Sequence, residues 1–468
     1  MKSKIDEAVR PKIVPPLHAD IIPAVLWNKA YLDAAAADGR TVPLVVGLER
    51  ADGSISRYQT AVFPLEHPLF EAGLRHAERL VKSLLWMWGG YKVFVGGPVS
   101  VGEYVRKVYS RRGERAFDAD LMSTAYGKKF TVEVTAADSV PPALEKTRPL
   151  GRHLDGCRIG FDLGASDRKV SAVVEGESVF SEELPWDPSN QSNPLYHYHQ
   201  VMSGLHQAAS HLPRVDAIGG SAAGIYIDNR AMVASLFRGI PRAEFRKKIN
   251  PMFLRMRKEW KVPFEVVNDG EVTALAGSMS LNANRVLGIA LGSSQAGGYV
   301  NEKGNITGWL NELAFVPVDL SPAAPVDEWS GDSGCGVQYF SQQAVFRLAG
   351  KAGIELAEDL AAVDKLKAVQ DLLHDGDKRA LLIFDTIGCY LGYGIGHYAD
   401  YYDIGHALIL GRVTSGEAGP IILEKAREVL KAEFPDLAER LSLHLPDEKS
   451  RRVGQAVAAA SLPVAEGE

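Results

Sequence analysis

Arg158-Ile159-Gly160-Phe161-Asp162-Leu163-Gly164-Ala165-Ser166 runs shortly before a second apolar stretch, Val170 to Val174. An apolar strand meets a carboxylate, then a turn of small residues, then another strand, which reads as a β-hairpin. Small residues let such a turn approach an anion closely, with backbone N–H groups facing phosphate oxygens. Asp162 is then placed to hold a magnesium ion through water. Strand–Asp–x–Gly turns are also common as plain turns, so the meaning of this one depends on partners elsewhere in the chain.

The 468 residues exceed one ordinary core and suggest two to three domains. Apolar residues at 46% and charged residues at 24% are those of a globular protein in water. A net charge of −6 argues against a nucleic-acid-binding surface over the whole molecule. Cys157, Cys335 and Cys389 are far apart and form no CxxC, which fits a reducing compartment and leaves no cysteine-built zinc site. No apolar run reaches membrane-spanning length, and the charged start (Lys2, Lys4, Asp6, Glu7) lacks the apolar core of a signal peptide. A cytoplasmic protein with no membrane partner is expected.

Residues 1–150 read as a mixed α/β block opening with Pro-containing coil (Pro11, Pro15, Pro16). Val42–Leu48 and Ser56–Phe63 are expected strands around an Asp52-Gly53 turn. Helices are expected over Leu69–Trp88 and Val101–Tyr109, and strands over Lys92–Val95 and Lys129–Val134. The basic cluster Arg106, Lys107, Arg111, Arg112 and Arg115 reads as a solvated helix end and turn, and no helix-turn-helix pair is evident. Pro141 to Arg152 reads as a linker. From about residue 155 strands and helices alternate, as in an α/β unit, and residues 446–468 form a C-terminal helix or tail.

Three further pieces echo the opening stretch. Phe264-Glu265-Val266-Val267-Asn268-Asp269 is a strand ending in Asn-Asp, with a helix expected over Glu271–Met279. An Asp at a strand end beside a helix can accept a proton from a substrate hydroxyl; the same residues also suit a plain helix N-cap. Leu287 to Val300 is again strand, small-residue turn and strand, with Gly292-Ser293-Ser294 and Gly297-Gly298 free to wrap phosphate. Ala407–Leu410 is a buried strand ending at Gly411, which lets a flat ring pack on the backbone, before a helix from about Pro420 to Phe434.

In this order the four pieces resemble the actin-like ATPase and sugar-kinase superfamily, and within it the ROK (repressor, open reading frame, kinase) family. The resemblance covers roughly residues 155–445 and implies a two-lobed, ribonuclease H-like α/β fold carrying an additional N-terminal domain. Asp162–Ser166 matches the family's DxGGT phosphate hairpin, Asn268-Asp269 its ND motif, and Gly292–Gly298 its GTGxGGG loop. Asn311-Glu312-Leu313-Ala314-Phe315 matches GELGH, Gly334-Cys335 to Ser341 matches GCxExxxS, and Gly411 the adenosine-side GG. The helix Leu381–Tyr401 and the substrate-side turn Ile218–Gly224 also sit where the family has them.

The resemblance implies ATP and Mg²⁺ as cofactors and a sugar or related polyol as acceptor. Asp269 would be the catalytic base. Asp162, Gly164, Ala165, Ser166, Gly292, Ser293, Ser294, Gly297, Gly411 and Arg412 would face the nucleotide, with Asp162 holding Mg²⁺ through water. Ser221, Gly224, Asn268 and Glu312 would face the acceptor, and a homodimer is possible in such a fold. Tyr226, Asp228, Asn229 and Arg230 are secondary candidates.

The chain departs from the family at chosen places. Phe315 replaces the zinc-binding His, and Gly331-Asp332-Ser333-Gly334-Cys335 keeps one cysteine of the cluster, so no structural zinc is expected. Val337 replaces a sugar-binding Glu; two apolar side chains for two hydrogen-bonding ones shift specificity away from glucose and N-acetyl sugars. Ala165, Ser293-Ser294 and Arg412 alter the nucleotide loops. His197, His199, His206 and His211 are spaced wrongly for a chelate and read as surface residues. The same departures would suit a non-catalytic, ligand-sensing or scaffolding protein on this fold.

Overall fold

The computed structural model describes residues 4–146, 150–446 and 448–465. Lys2 of the charged start, residues 147–149 of the expected linker, and Asp447 and residues 466–468 of the expected tail lie outside the described residues.

The opening stretch forms the strand Cys157–Leu163, paired antiparallel with Asp167–Val174, with Asp162 opposite Lys169. They belong to a five-stranded sheet ordered Phe264–Asn268, Ala217–Ala222, Cys157–Leu163, Asp167–Val174, Glu177–Pro185. The first three strands run parallel, so Asp162, Ser221 and Asn268 gather at one carboxyl edge. Ligands in open α/β sheets bind at such an edge.

Alternation along the strands assigns the two faces. Ile159 and Phe161 pack into an apolar core with Val201, Leu205 and Phe253. The opposite face receives the C-terminal helix Glu448–Ala460. At Gly219 that helix comes so close that a Cβ would lie 1.7 Å from the Ala459 carbonyl oxygen, so only glycine fits.

A second sheet is ordered Gln295–Val300, Val286–Leu291, His406–Leu410, Ser442–His444, the first pair antiparallel and the rest parallel. The helix Asp269–Ser280 leaves the first sheet and packs on this one. The helix Lys378–Tyr398 lies against Ala418–Glu433. The expected two-lobed α/β architecture is present.

Residues 42–135 carry a third sheet, ordered Ile55–Val62, Val42–Glu49, Lys92–Gly96, Thr131–Thr135. The expected strands and the helices Phe70–Met87 and Val99–Val108 are found. Ala24–Asp38, to which the sequence pattern assigns no element, is a helix packed on Lys378–Tyr398. Small and apolar residues surround it, so it carries no 3.6-residue stripe to read. Ala116–Tyr126 is a further helix that the basic cluster before it concealed. Arg115 of that cluster is not solvated but buried and ion-paired. The expected linker is anchored, with Leu144 bridged to Ile55, Glu145 paired with Arg50, and Gly151 donating to the Leu462 carbonyl. One apolar core runs without a break from this third sheet into the second lobe, joining Leu84 and Trp86 to Leu313 and Phe315.

Gly219→Ala is expected to cost about 1–3 kcal/mol, because the added methyl meets backbone that cannot yield without moving the C-terminal helix. Urea unfolding of the variant beside wild type measures it.

Candidate active site

Asn268 ends its strand and caps the next helix, its Oδ1 accepting from the Gly270 N–H at 2.7 Å. Its Nδ2 donates to the Gly224 carbonyl at 2.7 Å, tying the turn after Ala217–Ala222 to the helix start. The capping role belongs to Asn268, which leaves Asp269 as the first helical residue, its Oδ1 also accepting from Gly270 at 3.0 Å. Burial raises the Asp269 carboxyl to about 6, and the nearby Asp162 carboxylate adds to the shift. Asp162 is likewise held above the ordinary carboxylate range by burial, opposed by the hydrogen bond from Ser221.

Ser221 was expected to touch the acceptor. Its hydroxyl instead donates to Asp162 Oδ1 at 2.6 Å and its side chain is buried, so it orients the carboxylate. Asn229 also serves the fold, bonding the Phe264 carbonyl and the Val266 N–H, and Arg230 bonds Asn250. His197 departs from the surface reading; it is buried, with Nε2 2.8 Å from the Pro188 carbonyl, whereas His199, His206 and His211 are exposed.

The two small-residue turns share one construction. In the first, Gly164 donates to the Asp167 carbonyl, and Trp186 donates to the carbonyls of Gly164 and Ser166. In the second, Gly292 donates to the Ser294 carbonyl and accepts from Gln342 at the start of the helix Gln342–Lys351. Ala165, Ser166, Ser293 and Ser294 are exposed, and their N–H groups meet no acceptor among the described residues. Gly297 lies inside the second strand and is buried. Gly411 is glycine for a backbone reason: its φ is +105°, and a Cβ would stand 2.3 Å from the Leu291 carbonyl oxygen. Arg412 is exposed beyond it, its carbonyl accepting from Gln370.

Residues 70–126 hold in place the segment that carries Glu312. The N–H groups of Asn311 and Glu312 donate to the carbonyls of Met87 and Trp86, both at 2.9 Å, at the end of the helix Phe70–Met87. Burial and then Asp269 raise the Glu312 carboxyl to about 7, and burial raises Glu271 to about 8. Phe315 packs on Trp86 with ring centroids 4.2 Å apart and touches Phe117 and Trp329.

Beside it lies a buried ion network. Lys82 reaches Asp118 at 3.1 Å and Asp332 at 2.8 Å, Arg79 pairs with Glu78 and Asp332, and Arg115 does the same. Three cations and three carboxylates balance. Cys335 donates weakly to Asp332, and burial pushes its thiol up to about 12. Where the resemblance implies a zinc cluster, the residues present do not fit one: Phe315 has no donor atom, Asp332 is neutralised by three cations, and Cys335 is protonated.

A cavity of ≈ 130 Å³ opens beside Glu312. Gly224, Tyr226, Asp228, Asn268 and Glu312 line it, with Arg50, Asp52 and Tyr126 from the N-terminal block. Asp162 and Asp269 do not line it; Asn268 and Glu312 join it to them. Sequence reading missed Glu271, Trp309 and Tyr126 on its walls. Glu271 carried a signal, as a carboxylate two residues past Asp269 on a helix start; Tyr126 carried none.

No family model and no curated protein sequence matches this chain. Solved structures do. A ROK hexokinase from Thermus thermophilus aligns at 19% identity and a TM-score of 0.50, over 65% of this chain and 97% of its own. A ROK family transcriptional regulator, described as a homologue of the E. coli MLC protein, aligns at 17% identity and a TM-score of 0.53, over 78% of this chain and 88% of its own. The chain has the ROK fold. At such identity the likeness fixes the ROK architecture and leaves the chemistry to the side chains.

Asp332→Ala leaves Lys82 and Arg115 buried without their shared partner and is expected to cost about 3–5 kcal/mol, read from chemical denaturation. Asp269 makes a pH-dependent contribution of opposite sense to an ion pair. Its folded pKa of about 6 lies above the ordinary value of 3.8, so the unfolded chain ionises first and stability falls as pH rises from about 4 to 6. Asp269→Asn is therefore expected to be stabilised by about 2 kcal/mol relative to wild type at pH 8, and not at pH 4. Paired unfolding curves at the two pH values check this.

Proposed function

We propose that the protein is an ATP-dependent kinase of a sugar or related polyol, with specificity moved away from glucose and N-acetyl sugars. One observation carries the reading: Asp269 sits at a strand's carboxyl edge, and its buried carboxyl has a proton affinity brought near neutral pH beside Asp162. A general base works best when its pKa lies near the working pH. The two exposed turns with unused N–H groups, at 165–166 in the first sheet and 293–294 in the second, support nucleotide binding.

In this reading Asp269 takes the proton of the acceptor hydroxyl, and Asn268 holds the helix start that aims it. Asp162, oriented by Ser221, would hold Mg²⁺ through water. The turns Gly164–Ser166 and Gly292–Ser294 would cradle phosphates, Gly411 would line the adenosine, and Arg412 would stack beside it. Bound Mg-ATP would supply the phosphoryl group and the metal charge; the protein's contribution is positioning and electrostatics. Glu312 and Gly224 would face acceptor hydroxyls.

A ligand-sensing role on the same scaffold is the second reading, favoured by Val337 and Phe315 where hydrogen-bonding side chains would hold a common sugar. ADP release with Mg-ATP against a panel of sugars and polyols separates the two. Turnover with at least one acceptor is expected, with Asp269→Asn reducing it by roughly 10²–10⁴-fold while nucleotide affinity stays within about twofold. Turnover by no acceptor, or full turnover by Asp269→Asn, contradicts the kinase reading.

A further inference from the structure

The cavity beside Glu312 has an unusual charge arrangement. Glu271 and Glu312 both line it, and neither carboxylate has an ion-pair partner among the described residues. The two cations on the wall are already engaged: Arg50 pairs with Glu145 and donates to Ser56, and Lys146 donates to the Asp52 carbonyl. Burial raises the proton affinity of both carboxyls, and a cationic ligand seated between them would stabilise their ionised forms.

The remaining walls suit such a ligand. Tyr126, Tyr226 and Trp309 present rings to the same space. Aromatic faces attract cations and also pack against the C–H faces of a polyol. Two wall groups have unused polar atoms. The indole N–H of Trp309 and the hydroxyl of Thr307 are buried with no partner. Tyr126 is only 8% exposed, and its hydroxyl lies beside Gly89. Buried polar atoms normally find partners, so two on one wall point to a ligand that completes them.

We propose that the acceptor carries an ammonium group beside its hydroxyls, as an amino sugar or amino polyol. Its amine sits between Glu271 and Glu312 against the ring of Trp309, and Tyr126 of the N-terminal block forms the outer, specificity-determining wall. This rests on the kinase reading for the identity of the ligand as an acceptor. It also assigns residues 50–126 a role in recognition: the N-terminal block supplies a wall that the two lobes alone lack.

Calorimetric titration of the full chain, with AMP-PNP and magnesium present, tests it with two matched pairs. These are glucosamine against glucose, and 1-amino-1-deoxysorbitol against sorbitol. At least one amine is expected to bind tenfold or more tighter than its neutral counterpart. Glu271→Gln is expected to bring that ratio to within about threefold of one, and Tyr126→Phe to weaken amine binding several-fold without changing AMP-PNP affinity. Trp309→Phe, which keeps a ring but removes the N–H, provides a second wall variant should Glu271→Gln unfold. Equal or tighter binding of the neutral member in both pairs, no binding of either amine, or an unchanged ratio in Glu271→Gln with unchanged binding in Tyr126→Phe overturns the proposal. AMP-PNP affinity measured alone reports separately on the kinase reading: its absence sinks that reading while the amine ratio still stands or falls by itself.

Discussion

Two hydrogen bonds, from the N–H groups of Asn311 and Glu312 to the carbonyls of Met87 and Trp86, tie the N-terminal block to the segment that carries Glu312. The last carbonyls of a helix lack intrahelical donors, so the end of Phe70–Met87 is a natural acceptor for a passing strand-like segment. The rest follows from keeping that helix end in place. Phe315 stacks on Trp86, the same helix sends Arg79 and Lys82 into the ion network, and Glu312 is thereby presented beside Asp269.

That network does by charge pairing what a metal cluster could do by coordination: it holds the segment from Glu312 to Ser341 against a neighbour. A zinc site ties together residues close in sequence. Here Glu78, Arg79 and Lys82 come from one helix, Arg115 and Asp118 from the start of another, and Asp332 from the second lobe. The geometry therefore needs the N-terminal block folded in place, and one continuous apolar core secures it. Six buried charges are costly to desolvate, and only their full mutual pairing offsets the cost. The N-terminal block is in this sense part of the site and not an appendage to it.

Much of the lobed fold was legible because its signals are local. Period-two strands, small-residue turns and the Asn-Asp strand end all lie within a few residues of one another, and each was found where its residues suggested. Asp162 and Asp269 came together because parallel strands put their carboxyl ends on one edge. The N-terminal helices were less legible. Ala24–Asp38 is rich in alanine and carries apolar Leu32 among its exposed residues, which blurs any stripe, and Arg115 looked solvated because its partners Glu78 and Asp332 are distant in sequence.

The sequence by itself determined the strand-end carboxylates, the two small-residue turns and the single cysteine of the stretch 331–335, because these depend on residue type and short spacing. Only the tertiary structure decided what surrounds them. It turned Ser221 toward Asp162 in place of the acceptor, put Glu271 on a cavity wall and brought Tyr126 to face it. Those outcomes rest on contacts between residues tens to hundreds of positions apart. Burial in a shared core, and not local pattern, sets which of them meet.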